Sequence, residues 1–308
     1  MGIAARIALF AIGSALFGLS TYVVLLSTYI LARDEGDAIV MFWRLLRRGY
    51  GIISDQLGEF VSDAASADRM AAAHLANVRH LGSMAAAHPG RVAVAIKPTA
   101  LGQTVDLEAA IGRGRTIVST AQALGVFVWF DAESKETLTA YKEFVLRLAL
   151  EFPNVGAVVQ AMHASSDTVI DELANHFVHV RIVKGAYADG EIVGRQYLRA
   201  RMIELNRHAR AQFGDDRLVA IGSCDDPVVE SAGTHQELQL LWGVRSALAE
   251  RLRTQGRRVT VYCPFGSLKA GHGYFMRRLK EGIKPSMLFT FLRNVLEARR
   301  FRRSLSRD

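Results

Sequence analysis

Cysteine is almost missing from this chain: Cys224 and Cys263 are the only two among 308 residues. That excludes a disulfide framework and fits a reducing compartment. Neither cysteine belongs to a CxxC pair. With His163, His235 or His272 as partners the spacing is wrong for zinc, so no metal is expected. Proline is scarce as well, six residues against 26 glycines, which argues against a disordered or collagen-like chain. No Gly-x-Ser-x-Gly elbow occurs and Ser165-Ser166 has no triad context, so nucleophilic hydrolysis finds no support. Gly112-Arg-Gly114 and Gly271-His-Gly273 are lone fragments of a dinucleotide fingerprint in the wrong context, which argues against an open doubly wound sheet. The net charge of +8 invites a nucleic-acid reading. Half of that excess, however, lies in residues 293–308, where six arginines face Glu297 and Asp308 in a tail poor in aromatic platforms. Such a tail suits anionic lipid headgroups equally well, and no nucleic-acid partner is expected.

Charge is absent from residues 7–32, a run rich in Leu, Ile, Val, Phe and Tyr. As a helix rising about 1.5 Å per residue it would exceed a hydrocarbon core of roughly 30 Å, and it is too long for a signal-peptide core. Arg6 flanks one end. Arg33, Arg44, Arg47 and Arg48 follow the other, offset by Asp34, Glu35 and Asp37, which favours a cytoplasmic main domain. The expected organisation is therefore an apolar anchor helix over 1–35 and a catalytic body over 36–308, at the cytoplasmic face of the cell membrane. The other reading of the run is an arm folded against the main domain, with Gly13 and Gly18 as packing notches.

Beyond residue 35, short β-branched runs alternate with longer amphipathic stretches. The predicted strands are 51–56, 91–97, 126–131, 155–160, 178–184, 218–223, 237–241 and 259–262, with helical patterns between most of them. Eight strand–helix units predict a closed parallel barrel, an α/β fold of the (βα)8 type. Nearly every strand ends in a polar side chain: Asp55, Lys97, Asp131, Gln160, Lys184, Ser223 and Tyr262. In a parallel barrel those tips share one rim, the face that carries active sites. Seven polar tips predict a cavity for something large, polar and partly anionic.

The segment Tyr274-Phe-Met-Arg-Arg-Leu-Lys-Glu281 adds two adjacent guanidinium groups, Arg277 and Arg278. On a helix they point about 100° apart, so both reach one carboxylate only when it sits between them. Glu281 lies on the same face, four and three residues on, where it can orient them.

Taken with these tips, Val180-Arg-Ile-Val-Lys-Gly-Ala-Tyr187 resembles the flavin-binding strand of proline dehydrogenases, and Tyr274 to Glu281 resembles that family's proline-carboxylate helix. Ile53-Ser-Asp-Gln-Leu-Gly-Glu59, Val94-Ala-Ile-Lys-Pro-Thr-Ala-Leu-Gly102, Val128-Trp-Phe-Asp131, Asn154-Val-Gly-Ala-Val-Val-Gln160 and Leu238-Gln-Leu-Leu-Trp-Gly243 fall in the family's order. The resemblance spans about residues 50 to 300. It implies a distorted (βα)8 TIM barrel that holds FAD and oxidises L-proline to Δ1-pyrroline-5-carboxylate; the apolar run and the basic tail, which would keep the barrel mouth near lipid, add a membrane quinone as the expected electron acceptor. Carried over position by position, it implies that Lys97, Arg277 and Arg278 hold the substrate carboxylate, with Glu281 orienting the arginines. Asp131, Arg181 and Tyr262 would form the catalytic pocket. Ala132, Gln160, Arg181, Lys184, Gly185, Ala186, Ser223 and Cys224 would contact FAD. The chain departs from the family at Ser223-Cys224-Asp225, where a Thr/Ser-His pair is usual. It departs again in the link from Gly266 to Tyr274, which lacks an acidic-aromatic pair, and at Tyr187-Ala-Asp-Gly190, which lacks a bulky aromatic. Two other readings follow: a flavin oxidoreductase of a proline-like ring, or a catalytically silent membrane-bound relative.

Overall fold

The computed structural model describes residues 28–187, 189–215, 218–267 and 288–306. Eight parallel strands close into one barrel in chain order: β1 (Gly51–Gln56), β2 (Val92–Ile96), β3 (Phe127–Phe130), β4 (Val155–Gln160), β5 (His179–Val183), β6 (Val219–Gly222), β7 (Leu238–Leu241) and β8 (Val259–Phe265). β1 pairs with β8 from Gly51↔Thr260 to Gln56↔Phe265, which completes the ring. Helix α1 (Glu35–Arg47) precedes β1. Then follow α2 (Ala64–Ala87), α3 (Leu107–Ala123), α4 (Leu138–Ala149), α5 (Ser166–Asn175), α6 (Arg195–Phe213), the short α7 (Asp226–Glu230), α8 (Ser246–Thr254) and α9 (Leu288–Leu305).

The strands form where β-branched residues cluster, and the first three helices start where a carboxylate caps them. Asp34, Asp63 and Asp106 accept from the backbone N–H three residues on, satisfying donors that the first turn leaves open. The predicted strands match within one or two residues except the last, which runs on to Phe265. The extension has a visible cause. Leu31 N–H donates to Pro264 O (2.7 Å), Gly266 N–H donates to Ala32 O (3.1 Å), and Ala32 bridges Phe265. The backbone of 31–32 thus gives the end of β8 a neighbour.

That pairing corrects one expectation. The apolar run was predicted helical to residue 32, but the helical residues 28 and 29 give way to an extended segment in which Leu31 is fully buried. Burial of Leu31 against the barrel and two backbone hydrogen bonds outcompete continuation of the helix. Arg302 of α9 donates to Leu31 O (2.7 Å) and lies over the Trp242 ring. The rest of the predicted anchor, residues 1–27, lies outside the described residues. Among the described residues no helix is long and apolar enough to cross a membrane.

The core has two layers of unequal size. A large shell of Val, Ile, Leu and Phe lies between strands and helices, while a small cluster of Ile53, Ala93, Ala95, Trp129 and Ala220 fills the lumen. Side chains alternate along each strand, so the next inward positions above this cluster are the polar ones.

Candidate active site

Four predicted tips and one mid-strand arginine meet in the lumen. Asp55 and Asp131 project from β1 and from the residue after β3, two positions beyond Ile53 and Trp129, so the strand period points them inward. The Lys97 ammonium, two positions beyond Ala95, donates to Asp55 Oδ1 (3.1 Å) and lies 3.5 Å from Asp131 Oδ2. Arg181 of β5 forms an ion pair with Asp131 Oδ1 and donates to Gln239 Oε1 of β7 (3.1 Å). Its guanidinium lies over two rings, 5.5 Å from the centre of Trp129 and 5.2 Å from that of Tyr262. The Tyr262 hydroxyl donates to Asp131 Oδ2 (2.6 Å). Asp131 is therefore the hub: one carboxylate accepts from two cations and a phenol.

The electrostatics follow from this wiring. Burial pushes the Asp131 carboxyl up, but Arg181, Lys97 and the Tyr262 hydroxyl together hold it below the usual carboxylate range. Asp55 goes the other way. Burial and the neighbouring Asp131 raise it despite Lys97, and its Oδ2 has no hydrogen-bond partner among the described residues. Burial opposes the Lys97 ammonium, yet Asp55, Asp131, Glu133 and Glu59 keep it charged well above the ordinary lysine value. Burial, then the charge of Asp131, pushes the Tyr262 phenol far up, so it remains a donor.

A second carboxyl flanks the first. Glu133 accepts from the Thr99 hydroxyl (2.7 Å) and from Thr99 N–H (3.3 Å). Burial pushes its pKa up to about 7. The Thr99 oxygen in turn accepts from Phe60 N–H (3.1 Å), so Glu133 also anchors the loop after β1.

The remaining predicted residues take other places. Gln160, buried at the end of β4, directs its amide N–H groups to Ala132 O (2.9 Å) and Glu133 O (3.2 Å), both inside the chain. Lys184 and Ala186 lie exposed just beyond β5, with Gly185 between them at φ +104°. A Cβ on Gly185 would lie 2.0 Å from Met162 Sδ, so the close neighbour here is Met162. Ser223 and Cys224 belong to the β6 loop: Ser223 Oγ accepts from Asp225 N–H (3.1 Å), and Cys224 O accepts from Arg245 (2.7 Å). Arg277, Arg278 and Glu281 lie outside the described residues.

Sequence reasoning passed over Gln239, Glu133, Thr99 and the positioning role of Trp129. Inward alternation was the available signal for two of them. Gln239 pairs in register with Thr260 on β8, two residues before Tyr262, and Trp129 precedes Asp131 by two.

The family model described as proline dehydrogenase matches residues 41–204 and 225–287, well over half of the chain. Proline dehydrogenase 1 of Bacillus subtilis strain 168 is 26% identical over 275 residues, covering 85% of this chain and 87% of its own. Proline dehydrogenase 2 of the same strain is 27% identical over 268 residues, with 82% and 84% covered. Among solved structures, proline utilization A from Bdellovibrio bacteriovorus, in a form inactivated by N-propargylglycine, superposes with a TM-score of 0.75 at 20% identity over 85% of this chain. That likeness concerns the fold, and the chain spans about a third (33%) of the longer protein. The closed barrel, the paired charges in its lumen and the extent of these matches agree: the chain belongs to the proline dehydrogenase family of oxidoreductases.

Proposed function

We propose that this protein oxidises L-proline to Δ1-pyrroline-5-carboxylate at the C-terminal mouth of the barrel, with FAD as the immediate electron acceptor and a membrane quinone as the final one. The observation that carries the reading is the Asp131 hub, which joins Lys97, Arg181 and Tyr262 at the rim of a family barrel. An ammonium has three donors, and two of those on Lys97 face Asp55 and Asp131. The third is available for a substrate carboxylate, alongside Arg277 and Arg278. Tyr262 and Trp129 supply flat aromatic surfaces next to Arg181, which suits a small apolar ring beside a charged end.

The residues present fit a flavin. Arg181 Nε is buried with no hydrogen-bond partner among the described residues, Lys184 is exposed at the tip of β5, and Gly185 follows it in a left-handed backbone. Those residues would hold the cofactor, together with Ala132, Ala186, Ser223, Cys224 and Gln160, whose amide is otherwise engaged by Ala132 O, Glu133 O and His163. Bound FAD would supply a two-electron sink for the hydride from proline. What the protein contributes is orientation of the substrate by fixed cations, and a dry, pre-paired setting that needs little rearrangement.

The membrane half of the proposal rests on the uncharged run over 7–32 and on where its described end lies. Residues 30–32 run beside Pro264 and Phe265 at the mouth end of β8, so an anchor upstream of them, within 1–35, would hold the mouth near a lipid-soluble acceptor. The arginines that follow the run support the reading that the body lies at the cytoplasmic face of the cell membrane.

The test is the visible spectrum of the purified protein before and after anaerobic L-proline. The expected result is a flavin spectrum that bleaches with L-proline and recovers with a short-chain quinone. Exposure to N-propargylglycine is expected to abolish the bleaching. Bleaching by hydroxyproline or pipecolate but not by proline would move the assignment to another ring. A yellow protein that bleaches with none of them would overturn catalysis.

A further inference from the structure

Away from the Asp131 hub, His163 sits in the turn after β4, buried at 4% exposure. The turn is locked by Ser166, whose hydroxyl donates to Gln160 O (2.6 Å) and His163 O (2.9 Å). One ring nitrogen, Nε2, lies 2.8 Å from Gln160 Oε1, and the other, Nδ1, lies 3.2 Å from Glu191 Oε2. The hydrogens on this ring can be assigned from its partners. Gln160 Nε2 faces two carbonyls, of Ala132 and Glu133, so that end of the amide must be the NH2 and the end facing His163 the oxygen. An amide oxygen only accepts, so His163 Nε2 carries a hydrogen. Glu191 is ionised: its ion pair with Lys135, helped by its own backbone N–H and by His163, holds its carboxyl down at about 2. A carboxylate only accepts, so Nδ1 carries a hydrogen too.

We propose that His163 is an imidazolium that acts as a positioning residue, tying the tip of β4 to the β5–α6 loop and fixing the segment that carries Lys184 and Gly185. This rests on the reading of that segment as part of the flavin site. The loop is laid directly on the residue before His163. Met162 N–H donates to Lys184 O (3.1 Å) and Ile192 N–H donates to Met162 O (3.0 Å). Cβ atoms built on Gly185 and Gly190 would fall 2.0 and 2.6 Å from Met162 atoms. Glu191 then closes the loop onto the ring. Of the charged groups, Glu191 faces the ring, Lys135 from the turn after β3 pairs with Glu191, and Asp189 accepts from Lys135 N–H. From α6 comes Arg201, which donates to Ala164 O (3.2 Å) and pairs with Asp167 at the start of α5. A neutral ring keeps one hydrogen. Gln160 cannot turn without losing two bonds, so the hydrogen stays on Nε2 and the Glu191 contact is lost. The β5 loop is therefore held onto the ring only while both nitrogens carry hydrogen.

The experiment uses the full chain and reads three things. Long-range proton–nitrogen spectra of the 15N-labelled protein at neutral pH are expected to show hydrogen on both His163 nitrogens; a neutral single tautomer would overturn the proposal. Hydrogen exchange across 184–194 is expected to be roughly tenfold faster in both His163→Leu and Glu191→Gln, a factor discounted for the half-exposed Glu191. The β4 strand should keep its protection, which shows that the fold survives, and a loop equally protected in all three proteins would refute the latch. FAD titration by flavin fluorescence is expected to weaken in both variants. Should even the parent bind no flavin, the functional reading fails, while the spectra and exchange still decide the latch.

Discussion

The two faces of the same eight strands are built from different chemistry. Toward the helices stand Ile52, Val94, Val128, Phe130, Val180, Ile182, Ile221 and Val261, all buried and all apolar. Toward the lumen stand Ile53, Ala93, Ala95, Trp129 and Ala220, and above them Asp55, Lys97, Asp131, Arg181 and Gln239. Only the period of two separates the sets. The shell gains by removing apolar surface from water, an effect indifferent to direction. The lumen holds charges that are stable only because each faces an opposite one, which makes it sensitive to single atoms. The shell tolerates changes of shape that the lumen does not.

Removing the hub should show this most strongly. Asp131→Ala leaves Arg181 and Lys97 buried near each other without their shared counter-ion, a change expected to cost about 3–5 kcal/mol. Urea unfolding of the variant beside the parent checks this. A loss below about 1 kcal/mol would mean that water reaches the hub and that the contrast between the faces is overdrawn.

Next in size is a pH effect from Glu133. Its folded pKa, about 7, stands above the ordinary 4.5, so the native state holds the proton more tightly than the unfolded one. The stability linked to that proton is complete below about pH 4.5 and is lost as pH rises through about 7, in total on the order of 3 kcal/mol. Glu133→Gln keeps the neutral form's hydrogen bonding to Thr99 and removes the titration. The difference between parent and variant stability curves should therefore decline from acid to neutral pH. Asp55, also raised, contributes in the same sense to both proteins and cancels in that difference.

The barrel was legible in the sequence because eight β-branched runs alternate with helical ones, and strand identity depends on local pattern. The tips Asp55, Lys97, Asp131 and Tyr262 were legible because a polar residue at a strand's end is visible without knowing the register. Gln239 was harder to see because it lies inside β7, and its inward direction appears only once Gln239 is set against Thr260. Glu133 lies beyond the strand altogether and is brought in by Thr99, a partner 34 residues away. His163 was weighed only as a metal ligand, since neither Gln160 nor Glu191 announces a shared ring at that spacing. Residues 30–32 misled because apolar composition measures burial and not helicity, and the edge of β8 decided the conformation. Pairings across the ring of strands are the part that one-dimensional pattern does not carry.

Tyr262→Phe is a gentler probe of the lumen. It removes one hydroxyl from a buried carboxylate and leaves the ring over Arg181, so the loss should be about 1.5–3 kcal/mol in stability. A comparable loss in the kcat/KM of L-proline oxidation is expected if Asp131 orients Arg181 during turnover. Loss of stability with unchanged kcat/KM would separate the hub from the chemistry.

The smallest expected effect makes the sharpest comparison, because it uses the same substitution on adjacent residues of one strand. Ile52 faces the shell and Ile53 the lumen, and both are fully buried. Ile52→Val and Ile53→Val each delete one methylene, for an expected cost of about 0.5–1.5 kcal/mol. Thermal unfolding should therefore hardly distinguish them. Steady-state kinetics should, since Ile53 pairs in register with both Ala93 and Tyr262 and forms the floor beneath Asp55, while Ile52 touches only the packing between strand and helix. A change in KM or kcat for Ile53→Val alone would show that the lumen's apolar floor sets the height of the charges above it. Equal kinetics in the two variants would show that the hub holds its own geometry, through Asp131 and its three donors, whatever lies below.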